Sequence, residues 1–222
     1  MLEILYEDDA LLFINKPPGI VIQPSLNQGE PYLLEEVRNH APSAFLMQRL
    51  DKGTSGVMFF SKLASINRGL TRQFETKEIK KRYLALVSGV LAERQTIDAP
   101  LIRIGPISFG AGDGGKRAIT IVTPLRATPR GSLVTVDLLT GRTHQIRVHL
   151  AAIGHPLIGD WLYGARDAAR PMLHSAELVM LHPLTRQRLR VAAAPPDDFV
   201  DCAVEHGIVS RGEDGASVFE CG

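Results

Sequence analysis

Apolar positions along this chain recur mostly every second residue, the period of a strand, with a few stretches at helical spacing. The opening run I4-L-Y-E-D-D-A-L-L-F-I-N-K-P-P-G-I-V-I-Q-P24 predicts two short strands parted by K16-P-P-G19, because Pro and Gly interrupt the apolar pattern there. Residues 27–40 begin polar and then carry Leu33, Leu34 and Val37, which predicts a loop followed by a short helix. V57-M-F-F-S61 is an apolar run of strand length. Leu63, Ile66, Leu70 and Phe74 then form one apolar stripe at helical spacing, with Arg68, Arg72 and Lys77 on the other faces. Y83-L-A-L-V-S-G89, R117-A-I-T-I-V-T-P124 and S132-L-V-T-V-D-L138 read as strands, the last two from their β-branched residues and their Pro and Gly boundaries. There is no internal repeat and no low-complexity tract. From A193-A-A-P-P-D-D onward the pattern fades, so residues 1–200 are expected to form the folded domain and 201–222 a mobile tail.

Composition narrows the class. The chain has 222 residues, 45% of them hydrophobic, enough for one large domain or two small ones with a real core. Its two cysteines, Cys202 and Cys221, sit at the far end, which leaves no disulfide framework and no Cys-rich zinc site and fits a reducing cytosol. The first residues lack a basic segment followed by an apolar one, and no run of about 18 apolar residues occurs anywhere. A cytoplasmic protein without a membrane partner is expected.

The net charge of +1 hides an asymmetry. Five acids and one base fall after Val200, so residues 1–200 hold 24 bases against 19 acids. Six bases and only two acids lie within R68-G-L-T-R-Q-F-E-T-K-E-I-K-K-R82. Such a run suits a polyanion, or it is simply the solvated face of a helix.

Candidate chemistry concentrates in three places. G110-A-G-D-G-G-K116 has the spacing of a phosphate-cradling loop, but Arg117 stands where the magnesium-binding hydroxyl belongs and a strand follows where a helix must start, so a glycine-rich hairpin loop is expected instead. T140-G-R-T-H-Q-I-R-V-H149 is the segment densest in functional side chains. His144 and His149 stand five apart, which does not place two imidazoles side by side on a helix, and no Cys nearby offers a third ligand; no metal site is expected. Taken singly, these histidines are better read as meeting hydrogen-bonding needs of the core. Arg142, Gln145 and Arg147 offer planar, multi-donor groups suited to phosphates or to one buried carboxylate, and on a helix start they would face a common cleft. The third place is Q48-R-L-D-K-G-T-S-G56. Alone, Asp51 there is a turn former. It could also serve as an aspartyl-phosphate nucleophile, but that chemistry would need magnesium and a second acid, for which only Asp113 is available.

R49-L-D-K-G-T-S-G56, K80-K-R-Y-L-A-L-V-S-G89, G115-K-R-A-I-T120, T140-G-R-T-H-Q-I-R-V-H-L150, G154-H-P-L-I-G-D160 and L173-H-S-A176, in that order and spacing, resemble the RluA-type family of RNA pseudouridine synthases over nearly the whole chain up to Phe199. One departure is Gln48, where the family usually has His; it is expected to tune the loop without loss of activity. The resemblance implies an α+β pseudouridine synthase fold: a mixed, mostly antiparallel sheet with flanking helices and a central active-site cleft. It implies Asp51 as the catalytic carboxylate, Arg147 as its ion-pair partner, and Tyr83 as the tyrosine that stacks on uracil. Arg49 would occupy the space left by a flipped base, and Arg142, Arg72, Lys80 and Lys81 would hold phosphates. No metal or organic cofactor is implied, and the substrate would be ribosomal RNA, tRNA or both. The chain would be a monomer of the compact form, opening on a catalytic-domain strand without the small S4 module many relatives carry. A non-catalytic RNA-binding module is the alternative from another class; it would tolerate loss of Asp51, Tyr83 or Arg147, yet all three are present.

Overall fold

The computed structural model describes residues 2–24, 30–164 and 166–210. In chain order its elements are β1 (Glu3–Glu7), β2 (Leu11–Lys16), α1 (Leu33–His40), β3 (Phe45–Leu46), β4 (Ser55–Ser61), α2 (Asn67–Glu75), β5 (Lys80–Val87), β6 (Gln95–Asp98), β7 (Leu101–Arg103), β8 (Phe109–Ala111), β9 (Ile119–Thr128), β10 (Gly131–Leu138), α3 (Gln145–Ala152), β11 (Leu173–Leu181), β12 (Arg188–Ala192) and α4 (Asp197–Glu205). The chain forms two compact units, one of Met1–Lys81 with Ser175–Ala194 and one of Arg82–His174 with the chain from Pro195 onward. The fold is α+β. The strand pairings set out below are antiparallel, and an isolated bridge between Val21 and Tyr32 is parallel.

In the first unit β2 lies between β1 and β4, and β12 pairs with β11. The run Leu11–Ile14 is fully buried on both faces, which explains why it is apolar without alternation. Its side chains still divide by period two. Leu11 and Phe13 join Val57, Phe59, Ile66 and Leu70 in a core under α2, whereas Leu12 and Ile14 join Met58, Phe60, Leu33, Leu34 and Val37 under α1. Register places Phe13 opposite Phe59, and their rings stack with centroids 5.2 Å apart.

Two expectations are corrected here. The first two strands both precede K16-P-P-G19 and are parted at Asp8-Asp9, where Asp8 Oδ1 accepts the backbone N–H groups of Ala10 and Leu11, each at 2.8 Å. That side-chain turn takes the place that Pro and Gly were expected to fill, and among the described residues between Gly19 and α1, Val21 forms an isolated bridge, with Tyr32, in place of a strand. Leu63 does not belong to the buried stripe: it precedes the short 3-10 turn Ala64–Ile66 that leads into α2, and it is exposed.

In the second unit β5, β10, β9 and β6 are consecutive antiparallel neighbours, and β7 pairs with β8. The glycine-rich stretch after Phe109 is not the expected hairpin loop: it leads from β8, which pairs with β7, to β9, which pairs with β6 and β10, so it joins strands of different sheets. Among the last described residues, α4 runs through position 200 to Glu205, and Phe199, Cys202, Ala203, Ile208 and Val209 are buried. A boundary at 200 would cut this helix, which is fastened by Asp198 accepting Arg170 Nε at 2.6 Å and Nη2 at 2.8 Å. The remainder of the expected tail, residues 211–222, lies outside the described residues.

Candidate active site

Asp51 is half-buried at the start of a tight loop between β3 and β4. Its backbone carbonyl accepts the N–H of Thr54 at 3.1 Å, closing the turn that D-K-G-T foretold. The loop then meets β4 at Gly56, whose φ of +107° and whose approach to Ser175 leave no alternative residue: a Cβ there would sit 2.2 Å from the Ser175 carbonyl oxygen. At the loop's other end Gln48 is buried. Its Nε2 donates to the carbonyl of Val57 at 3.3 Å, while its Oε1 finds no hydrogen-bond partner. Because Val57 O can only accept, the amide cannot turn round to exchange these roles. Arg49, next along, is exposed.

The loop is also held from β2. Lys16, the last residue of β2, is 0% exposed and donates to three backbone carbonyls: Pro17 at 2.9 Å, Lys52 at 3.2 Å and Thr54 at 2.8 Å. The Lys52 carbonyl receives a second bond, from the N–H of Gly19 at 2.8 Å. In the sequence K16-P-P-G19 is legible as punctuation only, and nothing local signals this contact.

The second unit contributes a different cluster. Tyr83 lies in β5 opposite Val136 of β10, with only 6% of its surface exposed. Arg147, on α3, is equally buried and forms a two-pronged pair with Asp160, Nε to Oδ2 at 2.8 Å and Nη2 to Oδ1 at 2.7 Å. Asp160 is 0% exposed, and its Oδ1 also accepts the N–H groups of Leu162 and Tyr163. The Tyr163 ring lies 5.1 Å from the guanidinium carbon, and its hydroxyl meets His144 Nδ1 at 2.8 Å and accepts Phe109 N–H at 2.9 Å. Arg147 is therefore fixed by a carboxylate, an aromatic face and their own partners. Asp160 stood in the sequence within G154-H-P-L-I-G-D160, but a lone Gly-Asp pair does not announce a counter-ion.

The other polar residues of T140–H149 separate. Gln145 is buried and fully occupied: Oε1 accepts Thr140 O–H at 2.8 Å and Arg142 N–H at 3.0 Å, and Nε2 donates to Ile119 O at 3.0 Å and Thr120 Oγ1 at 2.9 Å. It is a brace for the start of α3 and does not share a cleft with its neighbours. His149 donates from Nε2 to Ala99 O at 2.9 Å and receives Thr120 O–H at Nδ1, 2.8 Å away. Burial pushes its pKa down, which favours the neutral ring this pattern requires. Arg142 is exposed, with Nε donating to Arg117 O at 3.2 Å. No cluster of three or more His, Cys, Asp or Glu residues among those described is placed to hold a metal ion.

Within the basic run Arg68, Arg72, Lys77 and Lys80 are exposed. Arg82 is not a free charge: it faces Asp137 across the β5–β10 ladder, with Nε 3.0 Å from Oδ1. Lys81 is half-buried with its ammonium 4.7 Å from the centre of the Phe74 ring, and burial lowers its pKa to about 8.

Residues 10–152, which include Asp51, Tyr83 and Arg147, match the family model described as RNA pseudouridylate synthase. The chain belongs to that family. It is 38% identical over 89% of its length to ribosomal large subunit pseudouridine synthase D of Nitrosomonas europaea, and spans 63% of that relative. It is 34% identical over 90% of its length to the protein of the same name from Pseudomonas aeruginosa, and spans 70% of it. Among solved structures, human RNA pseudouridylate synthase domain containing 1 superposes with a TM-score of 0.75 at 30% identity, covering 89% of this chain and 84% of that one. No helix among the described residues is long and apolar enough to cross a membrane.

Proposed function

We propose that this chain isomerises uridine to pseudouridine in RNA, with Asp51 as the catalytic carboxylate. The family match across residues 10–152 is the observation that supports this most directly. The reaction breaks the bond from C1′ to N1, turns the uracil, joins C1′ to C5 and releases the C5 proton. Atoms balance without a co-substrate. Asp51 adds to the sugar or the base, or takes the C2′ proton, in the manner of carboxylates that act on oxocarbenium-like centres. Arg147 serves as the ion-pair partner of that carboxylate, and Tyr83 packs on the uracil. A uridine inside folded RNA must first leave its stack, and Arg49 fills the space it vacates. Arg142, Arg72, Lys80 and Lys81 hold phosphates.

The substrate is proposed to be large-subunit ribosomal RNA, the RNA in the names of the two bacterial relatives, with tRNA tested beside it. The protein is proposed to act as a monomer. The test uses transcripts of both RNAs labelled with tritium at uridine C5. Tritium release and pseudouridine mapping should report conversion by the wild type and none by Asp51→Asn, whose amide keeps the size but not the chemistry. Turnover by that variant within tenfold of wild type would remove Asp51 from the role.

A further inference from the structure

We infer that Lys16 is a positioning residue for the reaction: its buried ammonium, together with the turn it opens, holds the backbone on which Asp51 is carried. This rests on the reading of Asp51 as the catalytic carboxylate. A lysine at 0% exposure is a costly choice for filling space, because an ammonium loses its hydration there while an aliphatic side chain of the same length would lose nothing. What Lys16 does with its charge is specific. Its donors reach the carbonyls of Lys52 and Thr54, one and three residues beyond Asp51, and that of Pro17 in its own turn. The same turn returns Gly19 N–H to the Lys52 carbonyl. Two loops that are 36 residues apart in sequence are thereby tied by charge-assisted bonds to main-chain atoms, whose positions do not depend on which side chains the loop bears.

The tie begins where β2 ends. Lys16 is paired in register with Gly56, the glycine that closes the other side of the Asp51 loop against Ser175. Both ends of the loop are thus referred to the β2–β4 ladder, a part of the core in which Leu11–Ile14 and Val57–Phe60 are fully buried. A carboxylate that must meet its target atom on the nucleoside within a fraction of an ångström gains from such a support, because misplacement by about 1 Å can cost on the order of 100-fold in rate.

The experiment compares wild type, Asp51→Asn, Lys16→Met and Gly19→Ala in single-turnover conversion of the labelled RNA, with RNA affinity measured separately. Lys16→Met keeps the stem and removes the donors. It should lower the rate constant at saturating RNA by about 100-fold, leave the Kd for RNA within about threefold, and speed amide hydrogen exchange at Thr54 while the β2 and β4 amides stay protected. Gly19→Ala meets no atom within 4 Å but must hold φ at +86°, so it disturbs the same tie without touching the lysine and should lower the rate about tenfold. Should Lys16→Met not fold, Gly19→Ala decides. A folded Lys16→Met, or in its absence a Gly19→Ala, that turns over within threefold of wild type overturns the proposal. An inactive wild type, or an active Asp51→Asn, overturns instead the reading on which it rests.

Discussion

Arg147 and Asp160 form a two-pronged ion pair in which Asp160 is 0% exposed and Arg147 6%. The arginine proposed to serve Asp51 thus has a carboxylate of its own, which sets its plane and leaves any further donor aimed by geometry. On that proposal Asp160 acts through Arg147, as a positioning residue.

Asp160→Asn should therefore cost both stability and rate. Breaking one side of a buried pair costs about 3–5 kcal/mol. At about 2–4 °C per kcal/mol for a chain of this size, the Tm should fall on the order of 10 °C. At a temperature where the variant is still folded, its rate at saturating RNA should fall well beyond its loss of RNA affinity. Thermal unfolding beside single-turnover kinetics checks this. A destabilised variant with unchanged rate would confine Asp160 to the core.

Stability should respond to acid in two stages. Burial lowers the pKa of His149, so the unfolded chain takes a proton that the folded chain refuses; stability is full above about pH 6.5 and declines as pH falls below it. A second loss comes at lower pH, as carboxyls held below their usual range are protonated. Hydrogen bonds from Arg170 do this for Asp198, and those from Lys62 and His40 do it for Glu7. For Asp8, burial pushes the pKa up, but bonds from Tyr6, Ala10, Leu11 and His182 outweigh it. Denaturant titrations from pH 7.5 down to 3 should show both stages in the wild type and only the lower one in His149→Gln. Identical curves above pH 5 would remove His149 as the source.

The contrast between what the sequence showed and what it hid follows from the range of the interactions. Phe59 and the β-branched runs of β9 and β10 announce strands because burial on a sheet face leaves a local pattern. His149 was legible as a core hydrogen-bonder, though not by partner, whereas Gln145 was placed in a cleft because the residues it braces, Ile119 and Thr120, lie far back in the chain. Lys16 was invisible because nothing local distinguishes a lysine that ends a strand in solvent from one buried among distant carbonyls. Arg82 was counted as a free base because its neutralising Asp137 lies 55 residues away, and register alone brings them together. Asp51 needed the blocks around it, since an Asp before Lys-Gly is first of all a turn.

The basic run carries its own prediction. Replacing Lys77, Lys80 and Lys81 together by Ala removes up to three phosphate contacts, each worth about 0.7–0.9 in the slope of log affinity against log salt. RNA binding should weaken and become less salt-sensitive, while the rate at saturating RNA changes much less, because binding lost equally from ground and transition states spares the chemical step. A salt titration of RNA affinity measures the slope. No change in slope would mark these lysines as a solvated face and move the RNA surface toward Arg49 and Arg142.

Lys81 should further make RNA binding sensitive to pH in a range where ordinary lysines are not. With its pKa lowered to about 8 by burial, it is mostly charged at pH 7 and mostly neutral at pH 9. If it holds a phosphate as proposed, affinity should fall across that interval and the salt slope should shrink by one contact, about 0.7–0.9. Arginine keeps its charge throughout, so Lys81→Arg should bind equally well at both pH values and keep the full slope. RNA affinity at several salt concentrations, at pH 7 and pH 9, separates the cases. Parallel losses in wild type and Lys81→Arg would assign the pH effect to another group and leave the Lys81 ammonium packed against Phe74 as part of the fold.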